Sequence, residues 1–434
     1  MQPTSYFSIK RESKGYVFPD MEFFPSNLKS QLQEDSRYRS VEAKNYDASW
    51  QAIHKGYIGE EKTIQSISKV PIYDEYVFIR KYFSAFWVFY VLLIRLFSFK
   101  NPFKELKAFY ETRQIKRSDY LKSPLIYEDW QSFQSILIKE SPLVSVIIPT
   151  LNRYTYLKDV LKDFEQQDYK NFEVIIVDQS DLFNLSFYKD FHLNLKVIKQ
   201  QEKALWLARN TAVKVAKGHI IALSEDDVRI NKDWISSHLK CLDYFKADIS
   251  AGVFYPLGKQ LPYDRSFFSI ASQFATGNAM LYKYVFEKVG LFDRQFEKQR
   301  MGDGEFGLRA YLYSFSSVSN PKAACIDIKA NAGGLREMGS WDAFRTKKWF
   351  APRPIPSVLY FYRSYFGNQA ARFALSRTVP LSIMPYQFKR NKPMMILGVF
   401  VSLLLLPLVL FQVCKSWRLA SEKLKQGPLI EKLE

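Results

Sequence analysis

The stretch GHIIALSEDDV, Gly218 to Val228, constrains this chain more than any other. A glycine leads into an apolar run, Ile220 to Leu223, long enough only for a buried strand. The run stops at three consecutive acids, Glu225, Asp226 and Asp227. Neighbouring carboxylates repel, so at the end of a buried strand they call for a counter-charge. A hard divalent cation, Mg²⁺ or Mn²⁺, meets that need because it prefers oxygen ligands. The competing account is a solvated loop capping a helix that starts near Asn231. The surrounding chain decides between them.

From Ser141 onward, apolar strands and helices alternate. Val144 to Pro149 is a buried strand ending in a turn, Thr150 to Arg153. Leu157, Val160, Leu161 and Phe164 then recur at helical spacing. Phe172 to Asp178 is a second strand ending in an acid, and Leu195 to Ile198 is a third. A helix with Leu207, Ala208, Thr211 and Val215 on one face precedes the strand described first. This alternation predicts an α/β fold, Rossmann-like, with an open, mostly parallel sheet covered by helices on both faces. Ligands of such sheets bind outside the carboxyl ends of the strands. Those ends carry Thr150, Asp178 and the acids 225–227, a constellation that a solvated loop does not require.

Beyond Asp227 the alternation fades. Asn231 to Phe245 reads as a helix, and Ile249 to Tyr255 as extended chain. Thr276-Gly277-Asn278 precedes the apolar Ala279 to Tyr282 and a helix, Lys283 to Val289. In MGDGEFGLRAYLY, Asp303 is either a helix N-cap or a general base placed to deprotonate a hydroxyl. Ala323 to Ile328 is a further strand with Asp327 at its end. Gly333-Gly334 is a hinge or a close backbone approach.

The flanks differ in texture. Residues 1–140 form an accessory region whose first 75 residues carry no assignable chemistry. Within it, 82–117 has a membrane-interface pattern. Tyr82 to Phe97 is almost wholly apolar but, at about 16 residues, short of the ~20 that cross a bilayer. It reads as a buried core helix or an interfacial segment. Asn101-Pro102 then starts a basic amphipathic helix with Phe103, Leu106, Phe109 and Tyr110 on one side. The α/β domain occupies 141–342. Residues 343–392 are basic and aromatic and expected to be helical. In 393–434, Met394 to Val413 is an uncharged run long enough to span a membrane, with Pro407 inside it. A span is the first expectation and a kinked interfacial helix the second. Basic residues flank the run on both sides, so charge does not orient it.

A formal net charge of +18 suits an anionic partner. The basic residues crowd around apolar segments and no nucleic-acid motif accompanies them, which favours an anionic membrane surface and argues against nucleic acid. Cys241, Cys325 and Cys414 are far apart and expected to be reduced. The four histidines are scattered and expected to be structural. The first ten residues lack the apolar core of a signal peptide.

Val144–Thr150, Asp178, Ala208-Arg209-Asn210, Glu225–Asp227 and Asp303, in this order, resemble a membrane-associated family 2 glycosyltransferase with the GT-A fold, over roughly Ser141 to Asp342. The resemblance implies inverting, metal-dependent transfer of a sugar from a nucleoside-diphosphate sugar donor to a hydroxyl. The implied acceptor is a saccharide or lipid-linked saccharide at the cytoplasmic face of a cell membrane. It implies that Thr150, Arg153, Asp178, Lys203, Arg209 and Asp226 contact the donor. Asp227, Glu225 and Asp327 would hold Mn²⁺ or Mg²⁺ in a DxD-like element, and Asp303 would be the catalytic base. Three positions depart from the family pattern. Glu225 stands for an aspartate, Gly302 for the glutamate before the base, and Asp327 for a metal-side histidine. The QxxRW element of processive relatives has only a degenerate echo in Arg345 to Trp349, which points to non-processive transfer. A non-catalytic, nucleotide-binding scaffold of a polysaccharide-assembly complex is the alternative.

Overall fold

The computed structural model describes residues 9–11, 13–59, 62–118, 123–271, 274–330, 349–384, 388 and 391–433. Gly333-Gly334, Trp341 and the first four residues of the Arg345–Trp349 element lie outside the described residues.

A mixed sheet of nine strands forms the centre. In chain order these are β1 (Val144–Thr150), β2 (Phe172–Asp178), β3 (Leu195–Lys199), β4 (Ile220–Ser224), β5 (Val228–Ile230), β6 (Ile249–Pro256), β7 (Ser269–Ile270), β8 (Asn278–Tyr282) and β9 (Ser317–Asp327). The spatial order is β3-β2-β1-β4-β8-β6-β9-β5, with β7 beside β9. The parallel half, β3-β2-β1-β4, is the part that the apolar runs predict. Beyond β4 the sheet turns mixed: β8 runs antiparallel to both β4 and β6, and β5 antiparallel to β9. Every residue of β1, β2 and β4 is buried. Side chains of a strand alternate between faces, so Ile147, Ile175 and Leu223 enter one core and Val146, Ile148 and Ile176 the other. Burial on both faces is why these strands read as continuous apolar runs.

Among the described residues, twelve α-helices of seven or more residues surround or extend this sheet. The N-terminal ones are α1 (Val41–His54), α2 (Ile72–Tyr82), α3 (Ala85–Phe97) and α4 (Pro102–Glu111). Covering the sheet are α5 (Tyr154–Glu165), α6 (Leu205–Val215), α7 (Trp234–Tyr244), α8 (Lys283–Val289) and α9 (Gly302–Leu312). The C-terminal three are α10 (Pro356–Thr378), α11 (Lys392–Leu404) and α12 (Leu406–Gln426).

Two sequence expectations are corrected. The buried side of α6 is not the Leu207–Thr211 face. Trp206, Arg209, Asn210 and Val213 are buried, whereas Leu207 and Thr211 are only half-buried. Asn210 can be buried because its amide exchanges two hydrogen bonds, both 2.9 Å, with the backbone of Phe292. The run Met394–Val413 is also not one helix. It breaks at Leu405 into α11 and α12, which lie at 88°. Pro407, in the first turn of α12, cannot donate to a preceding carbonyl, so the first helix ends there. Among the described residues no single helix is long and apolar enough to cross a membrane.

Of the two readings for Tyr82–Phe97, the structure rejects a buried core helix. In α3 only Val88 and Leu92 are buried, and Phe86, Phe89 and Phe97 face outward. Arg95 instead ties α3 to its neighbours through Glu75 of α2 (2.5 Å) and Glu105 of α4 (3.3 Å).

Behind the acidic end of β4 lies a closed polar network. Asn278 pairs with Ser224 across β8 and β4. Its carbonyl accepts from Trp234 Nε1 (2.9 Å) and His238 Nε2 (3.1 Å), and its amide donates to the carbonyls of Val253 and Ala323. His238 Nδ1 then accepts from the Ser250 hydroxyl, 2.8 Å away. Full burial pushes the His238 pKa down to about 4 from 6.5. The native imidazole is therefore neutral where the unfolded one is charged. Stability is complete above pH 6.5 and is lost as pH falls toward 4, because the unfolded chain binds a proton that the native one refuses. Between pH 7 and 4.5 this should remove about 2–3 kcal/mol. Urea unfolding across that range should show a correspondingly shallower pH slope for His238→Gln than for the unsubstituted chain.

Candidate active site

The site is built where β1, β2 and β4 end together. Thr150 is opposite Asp178 in the β1–β2 register, and β4 lies on the other side of β1. Past Ser224 the chain turns through Glu225, Asp226 and Asp227 into β5, whose first residue Val228 pairs with Asp327. The turn is thereby pinned between β1 and the end of β9. Asp227 accepts from the Ala330 amide at 3.1 Å, and its own carbonyl accepts from the Ile328 amide at 3.1 Å.

The counter-charge demanded by the sequence is supplied by Arg153. Its Nη1 donates to Asp226 Oδ1 (3.0 Å) and to Asp227 Oδ2 (3.1 Å). The Thr150 hydroxyl donates to the other Asp226 oxygen at 2.7 Å. Asp226 is nonetheless so deeply buried that desolvation pushes its pKa up to about 6, against the pull of Arg153 and Thr150. Glu225 is served separately. Its carboxylate lies 3.8 Å from Arg209 Nη2, and it fits only because position 277 is glycine: a Cβ there would stand 2.5 Å from Glu225 Cδ.

The charges of Glu225, Asp227 and Asp327 all reach the buried Cys325 of β9. The buried thiol of Cys325 is pushed well up, first by burial and then by the charges of these carboxylates. Their oxygens suit Mg²⁺ or Mn²⁺. Among the described residues no three His, Cys, Asp or Glu side chains are grouped closely enough to hold a metal ion by themselves. Mg²⁺ usually takes only one or two carboxylates from the protein and completes its shell with phosphates and water. The donor set therefore fits a cation that arrives with a phosphorylated ligand.

Asp303 approaches from the α6 side. Trp206 and Arg209 are one turn apart on α6, about 4.5 Å along its axis. Arg209 touches the Glu225 carboxylate, and Trp206 lies against Gly302. Through these two side chains α6 links the first turn of α9, with half-buried Asp303, to the acidic turn. Asp303 is not the N-cap. Met301 holds that position, and Asp303 Oδ1 accepts from the Gly304 amide at 2.9 Å. Glu305, two residues on, is buried and committed to Arg309 (2.8 Å) and the Tyr365 hydroxyl (2.6 Å). It is structural.

Two expected donor contacts are placed differently. Arg209 is fully buried and donates to the Ser224 carbonyl at 3.4 Å, so it supports the acidic turn from beneath and does not face the cleft. Asp178 is also fully buried. It accepts from the Ser180 amide (2.9 Å) and the hydroxyls of Tyr154 (2.5 Å) and Tyr188 (2.8 Å). A ligand would meet Tyr154 first. Lys203 is exposed at the β2 rim and paired with Asp181 at 2.5 Å.

Several shaping residues carried no sequence signal. Tyr154 screens Asp178, and Trp206 accounts for the glycine at 302. Glu297 caps α6 by accepting from the Leu207 amide (2.8 Å) and the Trp206 amide (3.2 Å), and burial raises its pKa.

A Cβ on residue 302 would lie 2.4 Å from the Trp206 ring. Gly302→Ala should therefore cost about 1–3 kcal/mol. Adding Trp206→Leu should recover part of that loss. Denaturant unfolding of the two single variants and the double variant measures the coupling.

Residues 145–289 match the model of the glycosyl transferase family 2. Among similar proteins, glycosyltransferase GlyA of Streptococcus pneumoniae is 26% identical over 163 residues, covering 36% of this chain and 22% of that protein. Chondroitin synthase of Escherichia coli is 28% identical over 144 residues, covering 32% of this chain and 21% of that protein. The matched stretch thus spans about a fifth of the length of either relative. Among solved structures, Staphylococcus aureus TarS 1–349 with UDP-GlcNAc is 20% identical, with a TM-score of 0.43, covering 65% of this chain and 92% of that one. The mannosyltransferase PcManGT of Pyrobaculum calidifontis with GDP-Man and Mn²⁺ is 17% identical, with a TM-score of 0.41, covering 63% and 91%.

Proposed function

Residues 145–289 are a glycosyl transferase family 2 domain, and from that premise we propose that this chain transfers a sugar from a nucleoside-diphosphate sugar to a hydroxyl, with inversion, in the assembly of a cell-surface polysaccharide. One observation carries the reading. Acids end β4 and β9 at neighbouring positions of the sheet, and α6 touches both the Glu225 carboxylate and the start of the helix that carries Asp303.

The residues divide the work by their chemistry. Asp227, with Glu225 and Asp327 around it, would hold Mn²⁺ or Mg²⁺. When bound, that cation neutralises charge growing on the departing diphosphate. Arg153 is the guanidinium nearest the acids, and it can turn its other N–H groups toward a phosphate while keeping Asp226 paired. Thr150 fixes Asp226 in place. Asp303 accepts the proton of the acceptor hydroxyl as it attacks. A base on the acceptor side and acids on the leaving-group side put the nucleophile opposite the leaving group, which inverts the anomeric centre. The acceptor is a saccharide carried on a lipid, presented at the cytoplasmic face of the membrane, where the apolar outer faces of α3 and α4 and the basic surface favour anionic headgroups.

The chain should release nucleoside diphosphate from one of a panel of UDP- and GDP-sugars when Mn²⁺ or Mg²⁺ is supplied. A non-catalytic scaffold would give none above the protein-free blank. Asp303→Asn should lower kcat by about 10²–10⁴-fold while donor Kd, read by titration calorimetry, stays the same. Full turnover in that variant would remove Asp303 from the base role.

A further inference from the structure

We infer that α11 and α12 form a re-entrant hairpin that enters and leaves one leaflet of an anionic bilayer from the same side, so that the chain is anchored without crossing. This goes beyond sugar transfer and does not depend on it.

The argument is topological. Asp293, next to the glycosyl transferase domain's α8, holds both flanks of the hairpin. Its Oδ2 accepts from the Tyr360 hydroxyl of α10 at 3.1 Å, before the apolar run. Its Oδ1 accepts from the Leu429 amide at 2.9 Å, after the run. The returning segment is fastened further by Leu291 N to Glu431 O (2.8 Å), Arg294 N to Leu429 O (3.2 Å) and Gln295 Nε2 to Gly427 O (2.9 Å). Near its base, α12 is clamped to the preceding chain. Arg363 of α10 donates to the Trp417 carbonyl and the Ser421 hydroxyl, and Ser416 donates to the Pro354 carbonyl. Departure and return therefore lie on one body. A chain that crossed a bilayer once would have them on opposite sides.

Length agrees. The 13 residues of α11 rise about 20 Å, and the apolar start of α12, 406–413, about 12 Å. Laid end to end these would match a ~30 Å hydrocarbon core, but at 88° neither arm reaches across it. The elbow is where apolar surface is most open: Leu403, Leu404 and Leu406 are exposed there, Leu404 to 82%. Phe400 and Phe411 continue that surface along the two arms. A soluble surface rarely presents so many contiguous apolar groups.

Charge identifies the occupant. Lys389, Arg390 and Lys392 precede the run, and Lys415 and Arg418 follow it. For a single span this symmetry gives no orientation. For a hairpin it places both basic clusters at one headgroup layer, where each Lys or Arg is attracted by anionic lipid.

The test uses the full chain, with exposed Cys414 replaced by serine and one cysteine introduced either before the hairpin (Arg377→Cys) or after it (Glu422→Cys). In sealed membrane vesicles of known orientation, a membrane-impermeant maleimide should label both positions from the same side. Labelling from opposite sides overturns the inference. Separately, the purified chain should float with vesicles of phosphatidylcholine and phosphatidylglycerol, and Leu403→Glu with Leu404→Glu should lose at least ten-fold of the floated fraction. Undiminished flotation of that double variant would also overturn it. Nucleotide release measured on the same preparations reports the transferase reading independently, since neither substitution touches the site.

Discussion

Three adjacent carboxylates at the end of a buried strand set the terms for this structure. Two like charges about 4 Å apart repel by roughly 4 kcal/mol at an effective dielectric of ~20. The fold disperses that cost by direction. Asp226 and Asp227 point toward Arg153, whereas Glu225 is turned the other way, over Gly277 and toward Arg209. One guanidinium comes from the turn after β1 and the other from α6, so two elements of the domain are committed to the same turn. Asp226 is buried deeply enough that desolvation keeps its pKa raised despite two partners. The Arg153 guanidinium is thus shared between two carboxylates at the edge of the site.

The sheet was legible because burial on both faces writes an unbroken apolar run, and β1, β2 and β4 are unbroken. Its mixed half was legible only in part: the chain of β6 and the end of β9 read as extended, but their pairing did not, since β6, β8 and β9 carry polar residues whose burial depends on partners far away in sequence. Asn278 is an example: its four hydrogen bonds reach α7, β6 and β9. The same blindness misplaced the face of α6. Periodicity finds apolar residues, and the α6 core face contains Arg209 and Asn210, each buried with a partner supplied by another element. Asp178 was legible as a strand-end acid, but nothing local announced that Tyr154 and Tyr188 would close over it.

Gly302 shows how an apparent defect in a motif can be a packing solution. Judged from the motif alone, glycine there is a lost carboxylate. In the folded chain the position is occupied from outside by the Trp206 indole, and any Cβ would collide with it. Trp206 also belongs to the first turn of α6, whose exposed amides Glu297 caps. The glycine, the tryptophan and the cap are one arrangement that sets how closely α9 approaches α6, and with it how far Asp303 stands from the acidic turn.

That spacing is linked to the C-terminal helices through few, buried contacts. Glu305 of α9 accepts from Tyr365 of α10, and Arg309 of α9 donates to the carbonyls of Gly290 (3.3 Å) and Leu291 (3.0 Å). Leu291 in turn donates to Glu431 of the returning segment, and Asp293 joins both flanks of the hairpin. The helix that carries Asp303 and the base of the hairpin therefore share one hydrogen-bonded platform among the described residues. Breaking a buried ion pair such as Glu305–Arg309 by removing one partner costs about 3–5 kcal/mol, so this platform resists bending. The placement of the Asp303 helix relative to the base of α12 is therefore set by these contacts.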